Sequence, residues 1–147
     1  MTDYLLDTNV LSAFAPGRPS ASPQLAQWLE AQSSFLFLSV ISLAEVEAGI
    51  RKLQRVGAKT RADLLSGWIE RILGAYEERV LAFDLAAGKV AGALADRALA
   101  TGSHPDFADI AIAATAERNN LVLLTANVRE FRGLGIRCAN PFEALPH

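Results

Sequence analysis

Cysteine is almost missing from this chain of 147 residues, where Cys138 stands alone. A single cysteine excludes an internal disulfide framework and any zinc site built on cysteines, and it suits a reducing cytosol. An excess of positive charge is also missing. The chain has 14 Lys+Arg against 16 Asp+Glu, for a net charge of −2, and a pI of about 5.7. Proteins that coat nucleic acid non-specifically draw their affinity from Lys and Arg on phosphates, so the overall charge speaks against that class. Long hydrophobic runs are lacking too. The longest apolar stretch without a charge, residues 31–44, is too short to cross a bilayer as a helix. Asp3 and Asp7 occupy the region where a secretory signal carries positive charge. Composition alone thus predicts a small cytoplasmic enzyme with no membrane partner.

What the chain does have is apolar content. Hydrophobic residues make up 51%, enough at this length for one domain, residues 1–147, with a sizeable core. Three short, nearly continuous apolar runs, Tyr4-Leu5-Leu6, residues 35–39 and residues 121–125, read as strands buried on both faces, as in a parallel sheet. Residues 80–83 and 136–139 are weaker strand candidates. Helical patterns cover 22–32, 42–55, 60–76, 85–100 and 107–119, with a short turn of helix after Asp7. Strands alternating with helices predict an α/β sandwich of three layers around a mostly parallel sheet. No repeat, low-complexity tract or linker interrupts the pattern.

Four polar residues fall at strand ends or at the helix starts that follow. Asp7 closes the first run, Glu45 lies in the helix after the second, Asp109 opens the helix of residues 107–119, and Asn127 follows the last strong strand. In open parallel sheets, ligands bind beyond the carboxyl ends of the strands where the chain order reverses, so these four can converge. Each also has a local reading. Ser42-Leu43-Ala44-Glu45 is a capping box as written, Asp106 can cap a helix with Asp109 in its first turn, and Asp7 and Asn127 suit a cap and a turn.

Convergence would demand a cation. Two like charges about 4 Å apart repel by roughly 4 kcal/mol at an effective dielectric near 20. Carboxylate and amide oxygens suit Mg²⁺ or Mn²⁺, and such an ion activates water and stabilises a phosphoryl transition state. A metal-dependent phosphodiesterase is therefore a candidate, though not a unique one. A phosphotransferase with Asp7 as nucleophile is disfavoured, because that chemistry usually places a second Asp two residues on, where Asn9 stands.

Taken together, Leu6-Asp7-Thr8-Asn9, then residues 39–45 with Gly49, then residues 109–116, then Leu124-Thr125-Ala126-Asn127 with Phe131 resemble a PIN domain of the VapC/FitB type found in bacterial toxin–antitoxin pairs. The likeness runs from Tyr4 to about Phe142 in order and spacing. It implies a PIN-like sandwich and a Mg²⁺- or Mn²⁺-dependent endoribonuclease toxin that hydrolyses RNA phosphodiester bonds. Asp7, Glu45 and Asp109 match the family's metal-binding acids, and Asn127 matches a position that is Asp or Asn. Thr8 and Thr125 match small hydroxyl positions of the same pocket. A neutral Asn127 implies one tightly bound ion, with a second arriving with substrate, Glu130 as a substitute for the missing acid and Asp106 first as a cap. The resemblance also implies a neutralising antitoxin, a homodimer, and contact with promoter DNA only through the antitoxin. An alternative within the family is a binding component of a DNA-bound complex with little activity of its own.

The remaining features carry mixed readings. Arg51, Lys52, Arg55, Lys59 and Arg61 can meet phosphates beside the acids or form a solvated helix end, and Arg129, Arg132 and Arg137 form a looser set of the same kind. Trp28, Trp68 and Tyr76 can stack on bases but at helical spacing read as core or dimer surface. His104, beside Pro105, can assist proton transfer, and Cys138 reads as core.

Overall fold

The computed structural model describes residues 2–18 and 22–146. Five strands, β1 (Tyr4–Leu6), β2 (Leu36–Ser39), β3 (Val80–Leu81), β4 (Val122–Leu124) and β5 (Cys138–Ala139), alternate with seven α-helices. The helices are α1 (Thr8–Ser12), α2 (Pro23–Ala31), α3 (Val40–Arg55), α4 (Lys59–Tyr76), α5 (Leu85–Ala100), α6 (Phe107–Arg118) and α7 (Val128–Gly133). Every strand pairing is parallel, and the sheet order is β3-β2-β1-β4-β5. The α/β, three-layer expectation holds, and the sheet is wholly rather than mostly parallel.

Successive strand residues face opposite ways, and both faces are covered. Tyr4 and Leu6 of β1, with Leu36, Leu38 and Leu124, join the core formed with Val10 and Leu11 of α1, Ile50 of α3 and Ile69 of α4. Leu5 and Leu123 turn to the other side, onto Leu94 of α5, Ile112 of α6 and Phe131 of α7. Burial on both faces is why the strands read as unbroken apolar runs. Residues 110–116 of α6 are all buried; alanines along this helix let it lie close between α5 and the sheet.

The helices start where local chemistry dictates. Ser39 closes β2 and caps α3, its side chain accepting from the Ile41 N–H at 2.9 Å. Asp84 caps α5 through the Ala87 N–H at 2.9 Å, and Ser22 caps α2 ahead of Pro23, where a missing N–H costs nothing. Strands β3 and β5 are each two residues shorter than expected, and two helices also depart from expectation. Helix α3 begins at Val40, two residues early, because Ser39 and not Ser42 is its cap. Helix α7, after Asn127, was not anticipated, because six residues are too few to show a helical period.

The order β3-β2-β1-β4-β5 has one consequence for function. From β1 the chain builds outward through β2 and β3, then crosses back to place β4 on β1's other side. The switch point lies between β1 and β4, and the Asp7 N–H donates to the Leu124 carbonyl at 2.9 Å across it. A crevice opens there at the strands' carboxyl ends.

Candidate active site

Asp7 leaves β1 at that crevice and is only 4% exposed. Burying a carboxylate is costly unless it is hydrogen-bonded, and this one is held by three donors. Oδ1 accepts from the Thr8 N–H at 2.8 Å, and Oδ2 accepts from the Thr125 hydroxyl at 2.7 Å and from Asn9 Nδ2 at 3.2 Å. Thr125, fully buried at the end of β4, also accepts from the Asn127 N–H at 3.0 Å. Asn9 ties the same strand ends together by accepting from the Ala126 N–H at 3.2 Å. Asp7 therefore caps α1 and is aimed at the crevice at once, so its capping and functional readings are not exclusive.

Glu45 arrives from the second turn of α3. The Thr8 hydroxyl donates to Glu45 Oε1 at 2.6 Å, and with its one hydrogen so used, the Ser42 hydroxyl donates to Thr8 Oγ1 at 2.8 Å. The capping box suggested by Ser42 and Glu45 does not form, since Ser39 is the cap and Glu45 points to α1. Asp109 lies in the first turn of α6, where the helix dipole favours a carboxylate. Asp106 is the N-cap residue but makes no side-chain capping bond. Asn127 likewise precedes α7 without a side-chain capping bond.

All four residues expected from the sequence line one cleft of about 350 Å³, together with Thr8, Asn9, Ser12 and Arg18. The charge in it is concentrated. Burial, partly offset by the Thr125 and Thr8 hydrogen bonds, raises the pKa of Asp7, and the charges of Glu45 and Glu130 add to the rise. Asp109 is pushed up to about 6, first by burial and then by Asp7, Glu130, Asp106 and Glu45. Glu130 and Asp106 thus join the field of the site, although neither lines the cleft. Among the described residues, no group of three or more His, Cys, Asp or Glu is placed so that it could hold a metal ion. The donor set fits a hydrated hard cation, since Mg²⁺ keeps several waters and uses one or two carboxylates.

Three residues here were missed or underrated. Asn9 is a brace rather than a bystander, Ser42 supports Thr8, and Arg18 brings a positive charge to an acidic cleft. An isolated arginine in a turn gave no periodic signal. Other candidates lie elsewhere. His104 and Pro105 line an apolar groove between α5 and α6. Trp28 packs edge-on against Tyr4 at 5.3 Å and Tyr76 lies under Arg79 at 4.6 Å, so these two are structural, whereas Trp68, though mostly buried, lines a groove beside the cleft. Cys138 is half-buried, its thiol facing the Val128 carbonyl at 3.7 Å.

A parallel sandwich with acids gathered at its switch point defines a class. The chain belongs to the PIN domain family, whose model matches residues 4–135. Within it the chain is similar to the plasmid stability protein StbB of Pseudomonas syringae pv. tomato, with 36% identity over 141 residues, or 95% of this chain and 99% of the relative. It is similar also to the VapC ribonuclease Y4jK of Sinorhizobium fredii, at 32% identity over 95% and 97% of the two chains. Toxin FitB of Neisseria gonorrhoeae is 30% identical over 94% and 97%. The structure of FitAB bound to an IR36 DNA fragment matches with a TM-score of 0.83 and 29% identity, covering 98% of each chain.

Proposed function

We propose that this chain is a Mg²⁺- or Mn²⁺-dependent endoribonuclease toxin of a toxin–antitoxin pair, hydrolysing RNA phosphodiester bonds in the cleft at the end of β1 and β4. The observation that carries the reading is the meeting of Asp7, Glu45, Asp109 and Asn127, from four separate stretches of chain, in one cleft. Asp7, Glu45 and Asp109 would hold the ion largely through its bound waters, with one or two of them in direct contact, Asn127 as a neutral support and Glu130 strengthening the field. A bound divalent cation would supply a water of lowered pKa and would stabilise charge developing on the phosphoryl oxygens. Thr8 and Thr125 fix Glu45 and Asp7 in orientation, so the acids need little rearrangement when the ion and substrate arrive. Asn9 keeps β1 and β4 in register at the same place.

The partners follow from the same reading. RNA is the substrate, an antitoxin occludes the cleft, promoter DNA is reached through the antitoxin, and the chain forms a homodimer in the cytoplasm. The test is cleavage of RNA by purified protein. Activity should stop with EDTA, return with Mn²⁺, and fall in Asp7→Asn by at least the roughly 100-fold seen when metal-site support is removed. Equal cleavage by wild type and Asp7→Asn would assign the activity to a contaminant.

A second reading, a binding component acting mainly within a DNA-bound complex, draws support from the likeness to FitAB on its DNA fragment. Growth arrest on expressing this chain alone, relieved by the antitoxin, favours the toxin. No arrest, with intact promoter binding of the pair, favours the binding component.

A further inference from the structure

The acidic cleft does not end at the acids. A second groove, of about 280 Å³, continues from it, and Thr8, Ser12, Arg18 and Glu45 line both. Its floor is apolar, made by Val46 and Leu53 of α3 with Leu65 and Trp68 of α4, and Arg61 of α4 closes its other side. Gly17 lies against Arg61. It has a φ of 83°, and a Cβ there would lie 3.4 Å from Arg61 Nη1, so the Arg61 guanidinium rests against the residue next to Arg18. Among the described residues, neither guanidinium is taken up by a hydrogen bond or an ion pair.

Two exposed guanidinium groups beside a carboxylate cleft form a division of charge. The cleft repels phosphate unless a cation is present, whereas the groove attracts it. Arginine suits phosphate because its planar fork gives paired, charge-assisted hydrogen bonds. The apolar floor below offers a surface for the sugar and base of the same nucleotide. We infer that Arg18 and Arg61 form a phosphate subsite that seats the nucleotide flanking the scissile bond of a single-stranded RNA, with its base over the α3–α4 floor. The subsite rests on the ribonuclease reading and fixes which direction the strand leaves the acids. Of the basic stretch 51–61, only Arg61 lines this groove, so Arg51 serves as an internal control.

The experiment uses the full-length chain and a labelled single-stranded oligoribonucleotide. Binding is followed by fluorescence anisotropy in EDTA across a salt series, and cleavage by steady-state kinetics with Mn²⁺. Arg18→Ala and Arg61→Ala should each weaken binding and raise KM roughly tenfold, as expected for loss of a charged hydrogen bond, with kcat within about twofold. Each should also lower the salt slope by about 0.7, the value for one phosphate on a single strand. Arg51→Ala should match wild type in all three. Gly49→Leu should raise KM as well, because a side chain at Gly49 enters open space in the groove. Both arginines are exposed, and unchanged thermal melts verify folding.

Unchanged KM and salt slope in both arginine variants, with wild type cleaving RNA, would overturn the subsite and leave the ribonuclease reading standing. A fall in kcat alone would also overturn it, by moving the arginines to the transition state. RNA behaviour like wild type, with neutralisation by the antitoxin lost, would assign the groove to protein and overturn it equally. Wild type that neither binds nor cuts RNA would remove the ribonuclease reading and the subsite together.

Discussion

Asp7 accepts three hydrogen bonds and still has a raised pKa, because burial and neighbouring carboxylates outweigh the donors. Thr125 is the most consequential of those donors. In Thr125→Val, Asp7 Oδ2 loses its shortest bond and the Asn127 N–H loses its acceptor. Losing a hydrogen bond to a buried carboxylate costs about 1.5–3 kcal/mol, a loss that urea denaturation at neutral pH should register. Asp109 gives a dependence on pH with a definite sign. Its pKa is about 6 in the folded chain against 3.8 ordinarily, so the folded state holds that proton more tightly than the unfolded state does. Metal-free protein should therefore lose stability as pH rises from about 4 to about 6, and regain it on acidification through the same window. In Asp109→Asn this part of the dependence should vanish, and the metal-free melting temperature at pH 7.5 should rise while cleavage is lost. On the metal-dependent reading, cation affinity should run the opposite way, falling below about pH 6 as protons compete for Asp109.

At the scale of elements, Ser39 and Ser42 separate two roles that look alike in the sequence. Ser39 caps α3 from the end of β2, and Ser39→Ala should cost about 1 kcal/mol, the usual value for a lost N-cap. Ser42 lies inside the helix and donates to Thr8. Ser42→Ala should leave the helix start intact, as amide exchange at residues 40–42 can check, while loosening the Thr8–Glu45 bond. The same pair shows how far the sequence could be read. The strands were legible because both faces are buried, and α5 was legible to its ends because Asp84 caps it and its period is long. Strands β3 and β5 have two paired residues each and showed only weakly, since so short a run carries little alternation. Helix α7 stayed hidden for the same reason. Asp7, Glu45, Asp109 and Asn127 were legible as a set because each sits at a strand end or an early helical turn. Arg18 was not, because its importance depends on what the turn after α1 folds against.

For the whole molecule, the crossover that places β4 beside β1 gathers residues 7, 45, 109 and 127 into one cleft. On the proposed reading, a cation bound there would stabilise the folded chain by mass action, by about 2.7 kcal/mol at a concentration 100 times its Kd. The melting temperature of wild type should thus rise with added Mn²⁺ and return with EDTA, while Asp7→Asn should show little of the rise. Differential scanning calorimetry can measure both. Net charge also takes its meaning only at this scale. An overall −2 conceals acids collected at the switch point and two arginines beside them.

The layers and the candidates were legible from local pattern. Hydrophobic period fixes which segments become strands and helices, because that period is a local property of the chain. It also marked three carboxylates and an amide at element boundaries, where side chains are free to serve a ligand. Long-range packing settled which of them cap and which converge. It made Asp7 both the cap of α1 and part of the cleft lining, denied Ser42 its cap, and brought Arg18 and Arg61 to one groove. Those outcomes depend on contacts between residues far apart in the chain, such as Asp7 with Thr125, and no local pattern records them.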